Sequence, residues 1–168
     1  MRFFRILPGL AAGLVCFSLA GHAATATLAS LLVDTDGGRV AATVTERGTG
    51  KGLLRQLSIS CDGKCELEPY VEEVSEPPLG LFRLSDVTDN LVTTWVGGVA
   101  YVVRVYALSS TKVRKVLDVH SRGQPEFYMD DRGRDHIRIF VTASERTIRI
   151  VQQDWVWTGS KYVRAKRK

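Results

Sequence analysis

The sequence predicts an all-β, antiparallel fold of about three repeated four-strand units, a propeller-blade-like array, with a β-sandwich or a barrel-like wrap as alternative packings. Three observations carry this. Past residue 23 no helical period is sustained, apart from one turn's worth over residues 69–75. Short alternating runs rich in β-branched and aromatic residues fill the rest. Those runs also repeat, which points to stacked β-units.

The first 23 residues stand apart. "MRFFRILPGLAAGLVCFSLAGHA" begins with Arg2 and Arg5, continues through an apolar run and ends in small residues. This is the pattern of a secretory signal peptide, with cleavage expected after Ala23 or, second, after Ala26. The apolar run is shorter than the ~20 residues a membrane span needs. Cys16 follows Val15 rather than the small residue that a lipidation site wants. Residues 24–168 then form a single all-β domain without a transmembrane anchor, long enough to bury a core. The expected location is periplasmic or secreted.

Within that domain three segments align. They are "LLVDTDGGRVAATV" from Leu31, "FRLSDVTDNLVTTWV" from Phe82 and "FYMDDRGRDHIRIFV" from Phe127. Each is an apolar run, an Asp-rich turn and a second apolar strand ending in Val. Each is followed by a second hairpin: "LLRQLSISCDGKCEL", "YVVRVYALSSTKVRKVL" and "RIVQQDWVWTGSKYVRA". The alternation within them predicts half-exposed strands. "KVRKVLDV" sets Val113, Lys115, Leu117 and Val119 against Lys112, Arg114, Val116 and Asp118. "TIRIVQQDW" sets Ile148, Ile150 and Gln152 against Arg149, Val151 and Gln153. Between the first two units lies "EPYVEEVSEPPLG", with three prolines and four glutamates. It reads as a connecting loop near 66–80, since Pro77-Pro78 cannot occupy a central strand.

The Asp-rich turns, together with the close Trp155, Trp157, Gly159, Tyr162 ("W-x-W-x-G-x-x-Y"), resemble repeats of the FG-GAP and VCBS type. That resemblance covers most of the mature chain. It implies a secreted bacterial β-repeat protein, and it implies calcium as the ion to look for in the turns. The candidates are Asp34, Asp36, Asp86, Asp89, Asn90, Asp130, Asp131 and Asp135, with Asp34-Thr35-Asp36-Gly37-Gly38 the best single turn. The full "D-x-D-x-D-G" alternation is absent, and Arg132 and Arg134 oppose a divalent ion in the third turn. The alternative role for these aspartates is capping turns through side-chain hydrogen bonds. No other cofactor is expected.

Charge is uneven. The chain carries 23 basic and 18 acidic residues. Residues 101–168 hold 15 Lys and Arg against 7 Asp and Glu, whereas residues 62–89 hold 8 acidic residues against Lys64 and Arg83. Two solvated faces of one domain, a basic surface for an anionic envelope partner, or a self-complementary dimer contact would each produce this. The candidate binding residues are Trp155 and Trp157, which share a strand face, and the basic Lys161, Arg164, Lys166, Arg167 and Lys168. The tryptophans read either as core or as a stacking platform for a sugar or peptide.

Catalytic signatures are missing. His120 and His136 are the only histidines past residue 23, and no "H-x-x-x-H", "C-x-x-C" or "G-x-S-x-G" occurs. No catalytic residue is nominated. The expected function is a non-enzymatic secreted binding protein, with protein or an anionic envelope polymer as partner and no nucleic acid. An envelope accessory protein touching anionic surfaces through its basic half is the alternative, and a hydrolase with an unidentified site the third reading. Finally, Cys61 and Cys65 remain in "SISCDGKCEL". An oxidising compartment favours a disulfide. A two-residue Asp62-Gly63 turn would send the sulfurs to opposite faces, so the bridge predicts a loop of at least three residues, Asp62 to Lys64.

Overall fold

Residues 25–48, 50–144 and 147–165 are described by a computed structural model; the predicted leader, residues 1–23, lies outside the described residues. Among the described residues twelve strands form three antiparallel four-stranded sheets, none closed into a barrel. The first holds β1 (Thr25–Thr35), β2 (Gly38–Arg47), β3 (Leu54–Cys61) and β4 (Tyr70–Val74), in that spatial order. The second holds β5 (Pro78–Arg83), β6 (Asn90–Gly97), β7 (Ala100–Leu108) and β8 (Val113–Ser121). The third holds β9 (Glu126–Met129), β10 (Asp135–Ser144), β11 (Thr147–Trp157) and β12 (Tyr162–Arg164). The three four-strand units read from the sequence are therefore three sheets in chain order.

The sheets stack face to face, the second in the middle. One core joins Val40, Ala42, Val44, Leu57 and Ile59 of the first sheet to Leu91, Trp95, Val102 and Tyr106 of the second. The other joins Val92, Val103, Val105 and Leu117 of the second to Ile137, Ile139 and Tyr162 of the third. Strand β6 therefore buries both faces. Leu91 and Trp95 point one way, Val92 the other, and all three are fully buried. Each such side chain removed from water contributes roughly 1.5–3 kcal/mol. Phe82 and Phe127, which the repeat aligns, meet edge to face at 5.0 Å between the second and third sheets.

Two expectations are corrected. The segment near 66–80 is not all loop, and residues 69–75 are not a helical turn. Tyr70–Val74 pairs with β3, Ser58 opposite Val71, and forms the edge of the first sheet. Its alternation is real but carries glutamate: Tyr70, Glu72 and Val74 turn inward and Val71 and Glu73 outward. Pro78 opens β5, an edge strand, where its missing N–H costs no ladder bond. The second correction concerns β8. Val105 faces Leu117, but Tyr106 faces Lys115, so Val116 is an extra residue in a bulge. Simple alternation fails there. Val113 and Lys115 face the first sheet, while Leu117 and Val119 pack toward the third.

That bulge builds the charged seam between the first two sheets. It brings Lys115 and Asp118 onto one face, 3.2 Å apart. Lys115 also donates to Glu72 on β4 at 3.1 Å, as do the hydroxyls of Tyr70 at 2.6 Å and Tyr106 at 3.1 Å. Arg104 stands 3.6 Å from Glu72, 3.6 Å from Glu76 and 3.3 Å from Asp118, with its guanidinium 5.8 Å over the Trp95 ring. The acidic stretch thus meets the basic half inside one molecule.

Burial works against the Glu72 carboxylate, yet the hydrogen bonds from Tyr70, Lys115 and Tyr106 and the charge of Lys115 outweigh it and hold its pKa below the ordinary 4.5. A depressed carboxylate pKa stabilises the fold above the ordinary value and loses that contribution as pH falls through the lowered one. Glu72→Gln is expected to lower stability at pH 7 by about 1–2 kcal/mol. It should also flatten the decline seen between pH 4.5 and more acid conditions. Urea unfolding of both proteins across that pH range checks this.

Candidate functional site: a cleft between the turn ends

The hairpin turns that close strands 1 and 2, and strands 3 and 4, of each sheet gather at one end of the stack. The first sheet's turn packs tightly there. A Cβ on Gly37 would stand 2.9 Å from Ser110 Cα, in the β7–β8 turn of the second sheet. The Glu68 N–H donates to the Thr111 carbonyl at 2.9 Å, tying the same two sheets.

Between the second and third sheets the turns separate instead. They leave an open cleft of about 860 Å³, lined by residues of four turns, among them Thr88, Asn90, Arg114, Arg134 and Trp157. Register explains which side chains face it. In the last row of the second sheet Asn90 stands opposite Ala107, and Ala107 opposite Arg114. Asn90 shares the strand face of Val92, so it turns toward the third sheet. In the facing row of the third sheet, Trp157 stands opposite Tyr162, and Asp135 opposite Met129.

Beneath the cleft lining, which includes Asn90 but not Asp135 or Tyr162, lies a closed polar cluster. Asn90 and Asp135 are each only 1% exposed. Asp135 Oδ2 accepts from the Thr88 hydroxyl at 2.5 Å. Asp135 Oδ1 is buried without a partner, whereas the buried Asn90 amide and Tyr162 hydroxyl stand within hydrogen-bonding reach of each other. The three belong to one neighbourhood. Burial pushes the Tyr162 phenol up, the charge of Asp135 pushes it further, and a hydrogen bond with the Asn90 side chain acts in the opposite sense. Buried polar groups are nearly always paired, so each exception calls for an explanation.

At the rim, charge is partly neutralised. Arg134 donates two bonds to Asp130 Oδ2, at 2.9 and 2.7 Å, and Asp130 also meets His136 at 3.1 Å. The side chain and backbone of Arg134 hold the Asp130 carboxyl well below its usual range. Asp89 is engaged by Arg83 at 2.9 Å. Arg114 forms no ion pair among the described residues.

The candidates from sequence fall in different places. Trp155 and Trp157 do share a face, but both are half-buried against the second core rather than forming an open platform. Trp157 lies 5.2 Å from the Tyr162 ring and still lines the cleft, whereas Trp155 is deeper. Lys161 is exposed in the β11–β12 turn, where its carbonyl receives Thr158. Arg164 lies in a separate shallow groove with Arg149 and Asp154. Lys166, Arg167 and Lys168 lie outside the described residues. Asp34 is exposed and paired with Arg39 at 2.9 Å, and Asp36 is exposed in the turn. Among the described residues no three potential metal-ligating His, Cys, Asp or Glu side chains converge. Asn90 and Asp135 were visible in the sequence only as turn residues and as oxygen ligands for calcium; nothing marked them as buried.

Cys61 and Cys65 stand at disulfide distance, with Cα atoms 5.8 Å apart. They are not cross-strand partners, as the hairpin reading required. Cys61 ends β3 opposite Val40, while Cys65 lies in the connection before Tyr70. Gly38, at φ +118°, passes beneath, and a Cβ there would come within 3.0 Å of Cys65 Cβ. The pair fixes the turn end of the first sheet, away from the cleft. No family model matches the chain, and no curated protein or solved structure matches it.

Two outcomes are expected. Replacing Cys61 and Cys65 together by Ser lowers stability by about 2 kcal/mol, the loop-entropy value for so small a ring, read from denaturant midpoints under oxidising conditions. Asp135→Asn raises stability at pH 7 by about 1 kcal/mol. It keeps an acceptor for Thr88 and removes a buried carboxylate that forms no ion pair among the described residues. Loss of stability instead would mean that Asp135 is already satisfied in solution.

Proposed function

We propose that this protein is a non-enzymatic secreted or periplasmic binding protein whose ligand enters the cleft between the turn ends of the second and third sheets. The observation that carries this reading is the open cleft of about 860 Å³ between four turns, lined by Asn90, Arg114, Arg134 and Trp157. The leader-like N-terminus supports the extracytoplasmic assignment. The resemblance to FG-GAP and VCBS repeats supports a scaffold role for the sheets, with recognition left to the turns.

The accessory reading, contact with an anionic surface, draws on a different observation. Lys112, Arg122, Arg132 and Lys161 are exposed, and none forms an ion pair among the described residues. Most acidic side chains of the seam, by contrast, are already engaged. Surface contact of that kind is diffuse and collapses with salt.

The two readings separate in one measurement. Tryptophan emission is followed while a panel of small saccharides and organic acids is titrated at 50 and 500 mM salt. Cleft binding gives a saturable change that persists at high salt and is lost in Asn90→Ala. Binding only to anionic vesicles, abolished at 500 mM salt and unaffected by Asn90→Ala, would replace the cleft reading with the surface one.

A further inference from the structure

We infer that the free edge of β1 is a dimerisation surface, on which a second copy of this chain adds its own β1 antiparallel about a two-fold axis. A strand at a sheet margin offers unpaired N–H and C=O groups, so folds that stay monomeric guard their edges with charge, proline, bulges or shortness. Among the described residues every other margin of this stack is guarded. β4 carries Glu72 and Glu73. β5 opens on Pro78 and is bulged before Gly80. β8 carries Arg114 and Lys115 beside the bulge at Val116. β9 and β12 are four and three residues long, and the part of β11 that β12 leaves uncovered carries Arg149. β1 differs. It is 11 residues long, and residues 25–33 include no charged side chain and no proline. Its own bulge falls at Leu28, and residues 29–35 pair with β2 without interruption.

Register decides what that edge presents. The Arg39 carbonyl accepts the Asp62 N–H, so Arg39, Ala41 and Thr43 of β2 direct their backbone groups to β3, and Val40 and Ala42 direct theirs to β1. Their partners Val33 and Leu31 bond back to β2, which leaves the N–H and C=O of Ser30 and Leu32 pointing outward. With Leu31 opposite the partner's Leu31, Ser30 meets the partner's Leu32 in two symmetric hydrogen-bonded pairs. The side chains suit that register. On the outer face the exposed Leu32 falls beside the partner's Ser30, and on the inner face Ala29 falls beside the partner's Val33. Small stands against large on either side of the axis, and two leucines meet on it. Ala29 and Leu31 pack on the first core yet are only half-buried, so that core stops short at this margin and the same residues of a second copy extend it. Charge selects the same occupant. An uncharged edge gives an acidic or basic partner nothing to read, while two identical edges meet with no like charges opposed. Asp34 lies beyond the paired stretch and is already held by Arg39 at 2.9 Å. Such a contact uses the same patch on both subunits and closes after two copies.

Sedimentation equilibrium of the mature protein, from micromolar to millimolar concentration, gives the mass, and amide hydrogen exchange locates the contact. The expected result is a mass that doubles with concentration, at 500 mM salt as at 50 mM, because no charge holds the contact. Over the same range exchange at the Ser30 and Leu32 amides slows at least tenfold. Ser30→Pro deletes an outward N–H without breaking a bond to β2, and Leu32→Lys sets a cation on the edge. Both should keep a cooperative melting transition and stay monomeric. Val71→Lys, at an exposed apolar position on β4, should dimerise like the wild type. A monomer at every concentration, with Ser30 and Leu32 exchanging freely, overturns the inference. So does a dimer that persists in both β1 variants, or one that dissociates at 500 mM salt, since either contact lies elsewhere.

Discussion

The middle sheet must be apolar on both faces, and the rest of the structure depends on that. An isolated four-stranded sheet has one face to bury and one to hydrate. Here β6 and β7 carry core residues on both sides, so the second sheet is stable only when a sheet covers each face. Leu91, Trp95, Val102 and Tyr106 need the first sheet, and Val92, Val103, Val105 and Leu117 need the third. The end sheets are then free to be polar outside. Leu32 and Val71 remain exposed on the outer face of the first sheet among serines and threonines, while Arg138 on the third bridges Asp154 at 2.7 Å and Glu126 at 3.1 Å.

A doubly buried sheet also limits where charge can go. Arg104 sits in the middle of β7, on the face turned to the first sheet, and can remain there only because three carboxylates and the Trp95 ring surround it. The bulge at Val116 is part of the same solution. It lets β8 present Lys115 and Asp118 to that seam and Leu117 to the opposite core, which strict alternation could not do. The uneven charge along the chain is thus in part an instruction for joining β4 to β7 and β8.

The legible part of this fold was its repetition. Period-two alternation and Asp-rich turns recur in all three units, and they marked strands and hairpins correctly because both signals are local. Phe82 and Phe127 could be aligned by eye and do meet in space. The illegible parts depend on partners distant in sequence. Tyr70–Val74 looked like loop because two inward or outward glutamates beside prolines have no local reason to be a strand; the reason is Lys115, over forty positions away. A bulge leaves no trace in composition. The disulfide pair was recognisable, but its place beside Gly38 rather than across a hairpin was not. For the site, the tryptophan pair drew attention through its chemistry, and half of that attention was misplaced: Trp155 is core, and Trp157 alone reaches the cleft.

Asn90 and Asp135 show why a buried polar position hides so well in a sequence of this kind. Each stands at the start of a strand, after a turn, where Asn and Asp are ordinary. Position in the stack alone changes their meaning. Both first-sheet turns are packed against the second sheet, Gly37 against Ser110 and Glu68 against Thr111, so polar residues there end in neighbours or in water. At the other interface the turns diverge while the sheets beneath stay in contact. Asn90, Asp135 and Tyr162 are therefore buried between β6 and the third sheet, and of the three only Asn90 lines the opening. Widening one interface of a layered fold at one end is enough to leave a turn residue such as Asn90 buried and yet beside an open cleft. Uniform burial cannot do this, and neither can uniform exposure. The asymmetry between the two interfaces is what leaves an open cleft at one end of this stack.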